Sequence, residues 1–138
     1  MYYARVENTN LPNERRQLLK DHLKQAQMIA EKAGEKLGIP HIAGLAALFH
    51  DAGKYTVEFQ QYLLNISQAT RGSIDHSTAG AILLAKWLGT NLDDVSKMTL
   101  EMIQNAIVSH HSQLKDTYTP TGEMPLSKRL TKQIPYFD

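Results

Sequence analysis

Leu48-Phe49-His50-Asp51-Ala52-Gly53-Lys54 ends an apolar run with a histidine–aspartate pair, a glycine and a lysine. Asp51 has two carboxylate oxygens, enough to hold one divalent ion or to bridge two. His50 offers a neutral imidazole nitrogen, and Lys54 adds a mobile positive charge. Gly53 suits a backbone leaving a helix in the left-handed conformation. Upstream, Ile39-Pro40 places proline at the first helical position, and Ile42, Leu45, Ala46, Leu48 and Phe49 make the segment apolar nearly all round. It is expected to be the central, buried helix of the fold, over about residues 40–53. His50 and Asp51 then sit at its C-terminal end, where partial negative charge favours bound cations. Alone, the pair also fits a solvated helix end, so its meaning depends on the rest of the chain.

Upstream, residues 1–12 read as irregular, and a long helix is expected over about residues 13–36. Leu19, Leu23, Ala26, Ala30, Ala33 and Leu37 recur at steps of four and three and form one apolar stripe. His22 borders that stripe. Arg15, Arg16, Lys20 and Lys24 read as a solvated face, and Gly38 as the stop. Downstream, Thr56 caps a helix over residues 57–66 with Phe59, Leu63 and Ile66 inward. Asp75 caps another to Leu88, closed by Gly89, with His76 in its first turn and Trp87 as core. Asn91 opens a helix that reaches His111, with Val95, Met98, Met102, Ala106 and Ile107 as its stripe and His110 on the buried face. Residues 126–132 allow a short last helix. No segment alternates as a strand would, and no repeat is present. The expectation is an all-α single domain of five main helices.

The chain has 138 residues, a length that suits one domain, and 42% hydrophobic residues, which supply a core. Fifteen basic and 14 acidic side chains leave a net charge of +1, which argues against a protein that coats nucleic acid through a basic surplus. It leaves room for a nuclease that receives its strand from a partner. Without cysteine there is neither a disulfide framework nor a thiolate metal site. No apolar run approaches the ~20 residues needed to span a bilayer, and Met1-Tyr2-Tyr3-Ala4-Arg5-Val6-Glu7 lacks the apolar core of a signal peptide. A soluble, cytoplasmic protein is expected.

Five of the six histidines fall on helix ends or beside apolar faces: His22, His50, His76, His110 and His111. His41, at the opposite end of the His50 helix, reads as a surface residue. Each of the five taken singly can be a buried neutral histidine with one partner. Together they are placed to converge on one cavity.

These residues carry a resemblance. His50-Asp51-Ala52-Gly53-Lys54 followed by Phe59-Gln60-Gln61-Tyr62-Leu63 resembles the signature of the CRISPR-associated HD nucleases, the nuclease domains or subunits of the type I interference helicase–nuclease. Asp75-His76-Ser77-Thr78-Ala79-Gly80-Ala81 resembles that family's second motif, and Ile107-Val108-Ser109-His110-His111 its third. His22 in Asp21-His22-Leu23 matches the leading histidine. The resemblance spans about residues 15–116.

It implies an α-helical, metal-dependent phosphodiesterase that cuts single-stranded DNA, working with a helicase subunit or domain and a CRISPR surveillance complex. It implies His22, His50, Asp51, His76, His110 and His111 as metal ligands. The family's later aspartate has no clear counterpart: Asp116 lies close to the His-His pair, and the chain given ends at Asp138. The chain then reads as a fragment or as a compact member. Phosphodiester hydrolysis needs an activated water and charge stabilisation, which two ions ~3.5–4 Å apart can supply, with Asp51 as the natural bridge. Imidazole-rich ligation favours Mn, Ni, Co, Fe or Zn over Mg. Lys54 can hold a phosphate as a point charge. Ser77 reads as part of its helix cap. The alternatives are an HD phosphohydrolase for nucleotides or cyclic nucleotides, and a weakly active metal-binding subunit that docks to a partner.

Overall fold

The structure, a computed structural model, describes residues 1–70 and 72–133. Helices dominate the described residues: α1 (Leu19–Glu35), α2 (Pro40–Phe49), α3 (Val57–Leu63), α4 (Ser77–Leu88), α5 (Asp94–Ser109) and α6 (Pro125–Leu130). The all-α class is as expected. A 3-10 turn, Ala52–Tyr55, joins α2 to α3. No described helix is long and apolar enough to cross a membrane.

The irregular N-terminus expected from sequence is instead a small antiparallel hairpin, β1 (Tyr3–Glu7) with β2 (Arg15–Leu18). Asn8 and Asn10 take the positive φ values, 54° and 65°, that let the chain reverse. The strands are short, four of their nine residues are charged, and only Ala4 is buried, so no alternation announces them. The hairpin also delays α1, which starts at Leu19 rather than near residue 13.

The interior differs from expectation as well. α2 is not the buried centre: only Gly44 is buried, and the helix lies between α1 on one side and α4 and α5 on the other. Four of its ten residues, Ala43, Gly44, Ala46 and Ala47, are small, and α1 packs closely against two of them, Ala43 and Gly44. The larger core cluster joins Ala81 and Leu84 of α4 to Ile103, Ile107 and Val108 of α5 and Leu126 of α6, with Phe49 of α2 packed on it. A second cluster joins Ala4, Leu19 and Leu23, with Leu48 against it. Along α5 the buried face is Ile103, Gln104, Ile107 and Val108; Val95, Met98, Met102 and Ala106 face outward. Two apolar stripes compete on that helix, and the β-branched one packs on α4. Trp87, Ile66 and Leu37 were expected inside and are exposed at 67%, 69% and 76%. Each lies at or past the end of its helix, where no neighbouring element covers it.

Caps follow the sequence more closely. Thr56 Oγ1 accepts from Phe59 N at 3.4 Å, and Asp75 Oδ1 accepts from Thr78 N at 3.2 Å. Asp93, not Asn91, caps α5 by accepting from Ser96 N at 2.9 Å. Gly53 is not left-handed. It is small because a Cβ there would lie 2.1 Å from the His76 carbonyl oxygen.

Candidate metal centre and its cleft

The two helices that supply His50 and His110 end in the same way. Each histidine is the C-cap residue, of α2 and α5 respectively, and its Nδ1 lies 2.6 Å from the carbonyl oxygen three residues back, Ala47 or Ile107. A carbonyl only accepts, so Nδ1 carries the proton and Nε2 is left with its lone pair. Both Nε2 atoms point at Asp51, 3.2 Å from Oδ2 for His50 and 3.4 Å from Oδ1 for His110. A backbone partner on the far nitrogen is the arrangement that fixes a metal-ligating imidazole.

Asp51 lies at the N-terminal edge of the 3-10 turn and is buried. His76 precedes α4 and His22 projects from the first turn of α1. Around Oδ2 stand His22 Nε2 at 3.1 Å, His50 Nε2 at 3.2 Å and Lys54 Nζ at 2.8 Å. Around Oδ1 stand His76 Nε2 and His110 Nε2, both at 3.4 Å, and His111 Nε2 lies 3.0 Å from His76 Nε2. The structure thus brings together all six residues singled out from sequence and leaves His41 exposed. They form two groups whose ligand atoms lie within 4.8 Å of one another: Asp51, His76, His110 and His111, and His22, His50 and Asp51. Asp116 is exposed and belongs to neither group, and Asp138 lies outside the described residues.

The two halves differ. Oδ2 is satisfied by the Lys54 ammonium. Oδ1 and His110 Nε2 are buried with no hydrogen-bond partner among the described residues. Unpaired buried polar atoms are costly, and here they are acceptors aimed at one point. A cation resolves that cost and a proton donor from the protein does not. Three imidazoles and a carboxylate suit a divalent transition ion, so the donor set fits the group.

The electrostatics agree. Burial alone would raise the Asp51 carboxyl; hydrogen bonds from His110 and His50, made only when their Nε2 is protonated, and the Lys54 ammonium outweigh it and hold the group well below the usual carboxylate range. With the His110 proton on Nδ1, Lys54 is the main counter-charge. Burial pushes His76 down to about 4, reinforced by the charges of Lys54, His111 and His110 and opposed by Asp51. Burial likewise lowers His22 and His111. His50 is raised: burial lowers it, but Asp51 and the Ala47 carbonyl together win. Neutral imidazoles are the form that binds metal.

A cavity of about 640 Å³ opens beside this centre, within the usual range for ligand sites. It is lined by His22, Lys54, His76 and His111 of the centre, by Phe59 and Tyr62 of α3, and by Arg5 and Gln17 of the hairpin. The sequence reading assigned Phe59 to the core; it is buried, but its ring lies 5.0 Å from that of His76 and 5.5 Å from Lys54 Nζ. The hairpin wall and Gln60 carried no signal of their own. Buried Gln60 accepts from Tyr3 N at 2.9 Å and donates to the carbonyls of Tyr3 at 2.9 Å and Lys54 at 2.8 Å. That clamp ties the hairpin to the turn bearing Lys54. Its one hint was its place beside Phe59 in the quoted motif.

The family model of the HD domain matches residues 19–138. No curated protein matches the chain.

Proposed function

The chain belongs to the HD domain family, and we propose that within this family of metal-dependent phosphohydrolases it is a phosphodiesterase that cuts single-stranded DNA. The observation that carries the reading is the buried Asp51 Oδ1, unpaired and faced by His76 and His110. His22, His76 and His111, which surround that carboxylate, border a cleft that is also lined by the aromatic Phe59 and Tyr62 and the cationic Lys54 and Arg5. His76, His110, His111 and Asp51 would hold one divalent ion, and His22, His50 and Asp51 a second. Such ions supply a water acidic enough to ionise near neutral pH and a counter-charge for the phosphoryl oxygens.

The protein's own residues do the rest. Asp51 fixes the spacing of the two ligand groups because each of its oxygens serves one of them. Lys54 lines the cleft, where its ammonium can move from Asp51 to a substrate phosphate. Phe59 screens His76 from water on one side, and Tyr62 extends an aromatic surface on which a base can stack. The resemblance to CRISPR-associated HD nucleases favours DNA as the polymer. It also favours a helicase subunit and a surveillance complex as partners, which agrees with a net charge of only +1. A cleft of this volume also admits a single nucleotide, so a nucleotide phosphohydrolase is the second reading.

The test is incubation of Mn²⁺- or Ni²⁺-loaded protein with single-stranded DNA, duplex DNA and a nucleotide panel, beside Asp51→Ala. Cleavage of single-stranded DNA lost in Asp51→Ala supports the reading. Hydrolysis of nucleotides alone selects the second. No hydrolysis of any substrate would leave a metal-binding docking subunit.

A further inference from the structure

The region that matches the HD domain begins at residue 19, yet the cleft has a wall that lies before it. Arg5 of β1 and Gln17 of β2 are cross-strand partners, and both line the cavity that contains Lys54 and His76. The strand register shifts between Tyr3 and Arg5, at Ala4, and the Ala4 carbonyl accepts from Lys54 Nζ at 3.3 Å. Irregularities of this kind re-aim neighbouring side chains and recur next to functional sites. Gln60 pins the same strand to the Lys54 carbonyl. The wall is therefore held at a fixed distance from the metal centre.

Among the described residues Arg5 pairs with Glu7, its Nη2 2.7 Å from Oε1, with side-chain exposures of 69% and 42%. An exposed pair of this kind contributes little and exchanges readily. A guanidinium matches a phosphate with two parallel N–H donors, which makes phosphate the better partner. Gln17 beside it adds an uncharged donor.

We propose that this hairpin is the strand-gripping wall of the cleft: Arg5, released from Glu7 and assisted by Gln17, holds the phosphate next to the one at the metal centre. The inference rests on the phosphodiesterase reading and adds to it a reason for preferring a polynucleotide to a single nucleotide, which has no second phosphodiester to offer. Glu7 acts as a placeholder that competes with the substrate for Arg5.

The experiment is fluorescence anisotropy of a labelled oligothymidylate with the full chain in Mn²⁺ across a range of salt, for wild type, Arg5→Ala, Gln17→Ala and Glu7→Gln. Hydrolysis of a small activated phosphodiester is followed in parallel. Arg5→Ala should weaken oligonucleotide binding about fivefold to tenfold and flatten the salt slope by about 0.7, one phosphate contact on a single strand. Gln17→Ala should weaken binding less and leave the slope unchanged. Glu7→Gln, which frees Arg5, should tighten binding. Small-diester hydrolysis should fall far less than oligonucleotide binding in Arg5→Ala, because a single diester offers the hairpin no second phosphate. No oligonucleotide binding by wild type, an unchanged affinity and slope in Arg5→Ala, or weaker binding in Glu7→Gln overturns the proposal. Arg5-dependent binding without hydrolysis of any substrate would instead overturn the phosphodiesterase reading and leave the gripping wall standing.

Discussion

Gly80 of α4 packs so tightly on the end of α2 that a Cβ there would lie 1.8 Å from the Phe49 carbonyl oxygen. The obstacle is backbone and cannot rotate away. Phe49 is followed directly by His50 and Asp51, so the contact sets where the metal centre stands relative to α4 and His76. Gly80→Ala is expected to lower stability by about 2 to 3 kcal/mol, as overpacking of a filled interior does, and to weaken metal binding in the fraction that folds. Thermal melts and calorimetric metal titration check both effects. Gly53→Ala, aimed at the His76 carbonyl, should do the same. Ala at Gly72, where nothing lies within 4 Å of the added Cβ, should leave metal affinity unchanged and cost only the strain of its positive φ.

Removing Lys54 should separate two roles. Its ammonium satisfies Asp51 Oδ2 and so occupies the charge position that a cation between His22 and His50 would take. Lys54→Ala is expected to tighten metal binding at the His22/His50 group, leave the His76/His110/His111 group nearly unaffected, and weaken DNA binding. Anomalous scattering from crystals soaked at graded Ni²⁺ concentrations reads the two occupancies separately. In wild type the His76/His110/His111 group should fill first, because its Oδ1 has no competing partner. Earlier filling at His22/His50 would mean that Lys54 leaves Asp51 more easily than its 2.8 Å contact implies.

Asp75 gives a stability prediction with a defined pH window. Burial would raise its carboxyl, but Lys132, the Thr78 backbone and hydroxyl, and Arg129 together lower it from 3.8 to about 2. A folded-state value below the unfolded one means stability that is fully present above about pH 4 and is lost as pH falls towards 2. Allowing for its partial exposure, the amount is about 1 to 2 kcal/mol. Asp75→Asn should therefore be less stable than wild type at neutral pH, and the gap should close at about pH 2. Chemical denaturation at several pH values measures it. A gap that persists at low pH would assign the effect to helix capping rather than to charge.

The histidine cluster was legible because spacing and helix ends are local features. His50 and His110 sit where C-caps fall, and His76 follows a capping aspartate. The apolar stripes were less legible because two faces of α5 are both apolar, and only the position of α4 decides that Ile103 and Ile107 go inside while Met98 and Met102 do not. α2 shows the same limit: uniform apolarity predicts contact on all sides but cannot say how many sides have a neighbour. Gly53 and the hairpin wall depend on residues distant in sequence, His76 and Gln60, so no local pattern contains them. The orphaned state of Asp51 Oδ1 is of the same kind, since it depends on which nitrogen of His110 faces Ile107.

Protons should compete unequally for the two ligand groups. His50 is raised above 6.5 by Asp51 and the Ala47 carbonyl against the effect of burial, whereas burial holds His76 at about 4. On acidification of the metal-free protein, His50 therefore gains its proton before His76. The sign for stability follows. A raised histidine stabilises the fold below 6.5 and loses that contribution as pH rises through its folded value, while a depressed one destabilises the fold as pH falls below 6.5. Only a neutral imidazole binds an ion, so the His22/His50 group should release its metal at a higher pH than the His76/His110/His111 group. Hydrolysis that needs both ions then declines from about pH 6.5 downward, the reference histidine value, while metal content falls in two steps. Proton NMR of the histidine Cε1–H resonances orders the titrations, and metal analysis after dialysis at stepped pH follows the release. Simultaneous loss of both ions, or a His76 resonance that titrates before His50, would overturn the ordering and place the stronger proton competition on the side of the cleft facing Phe59.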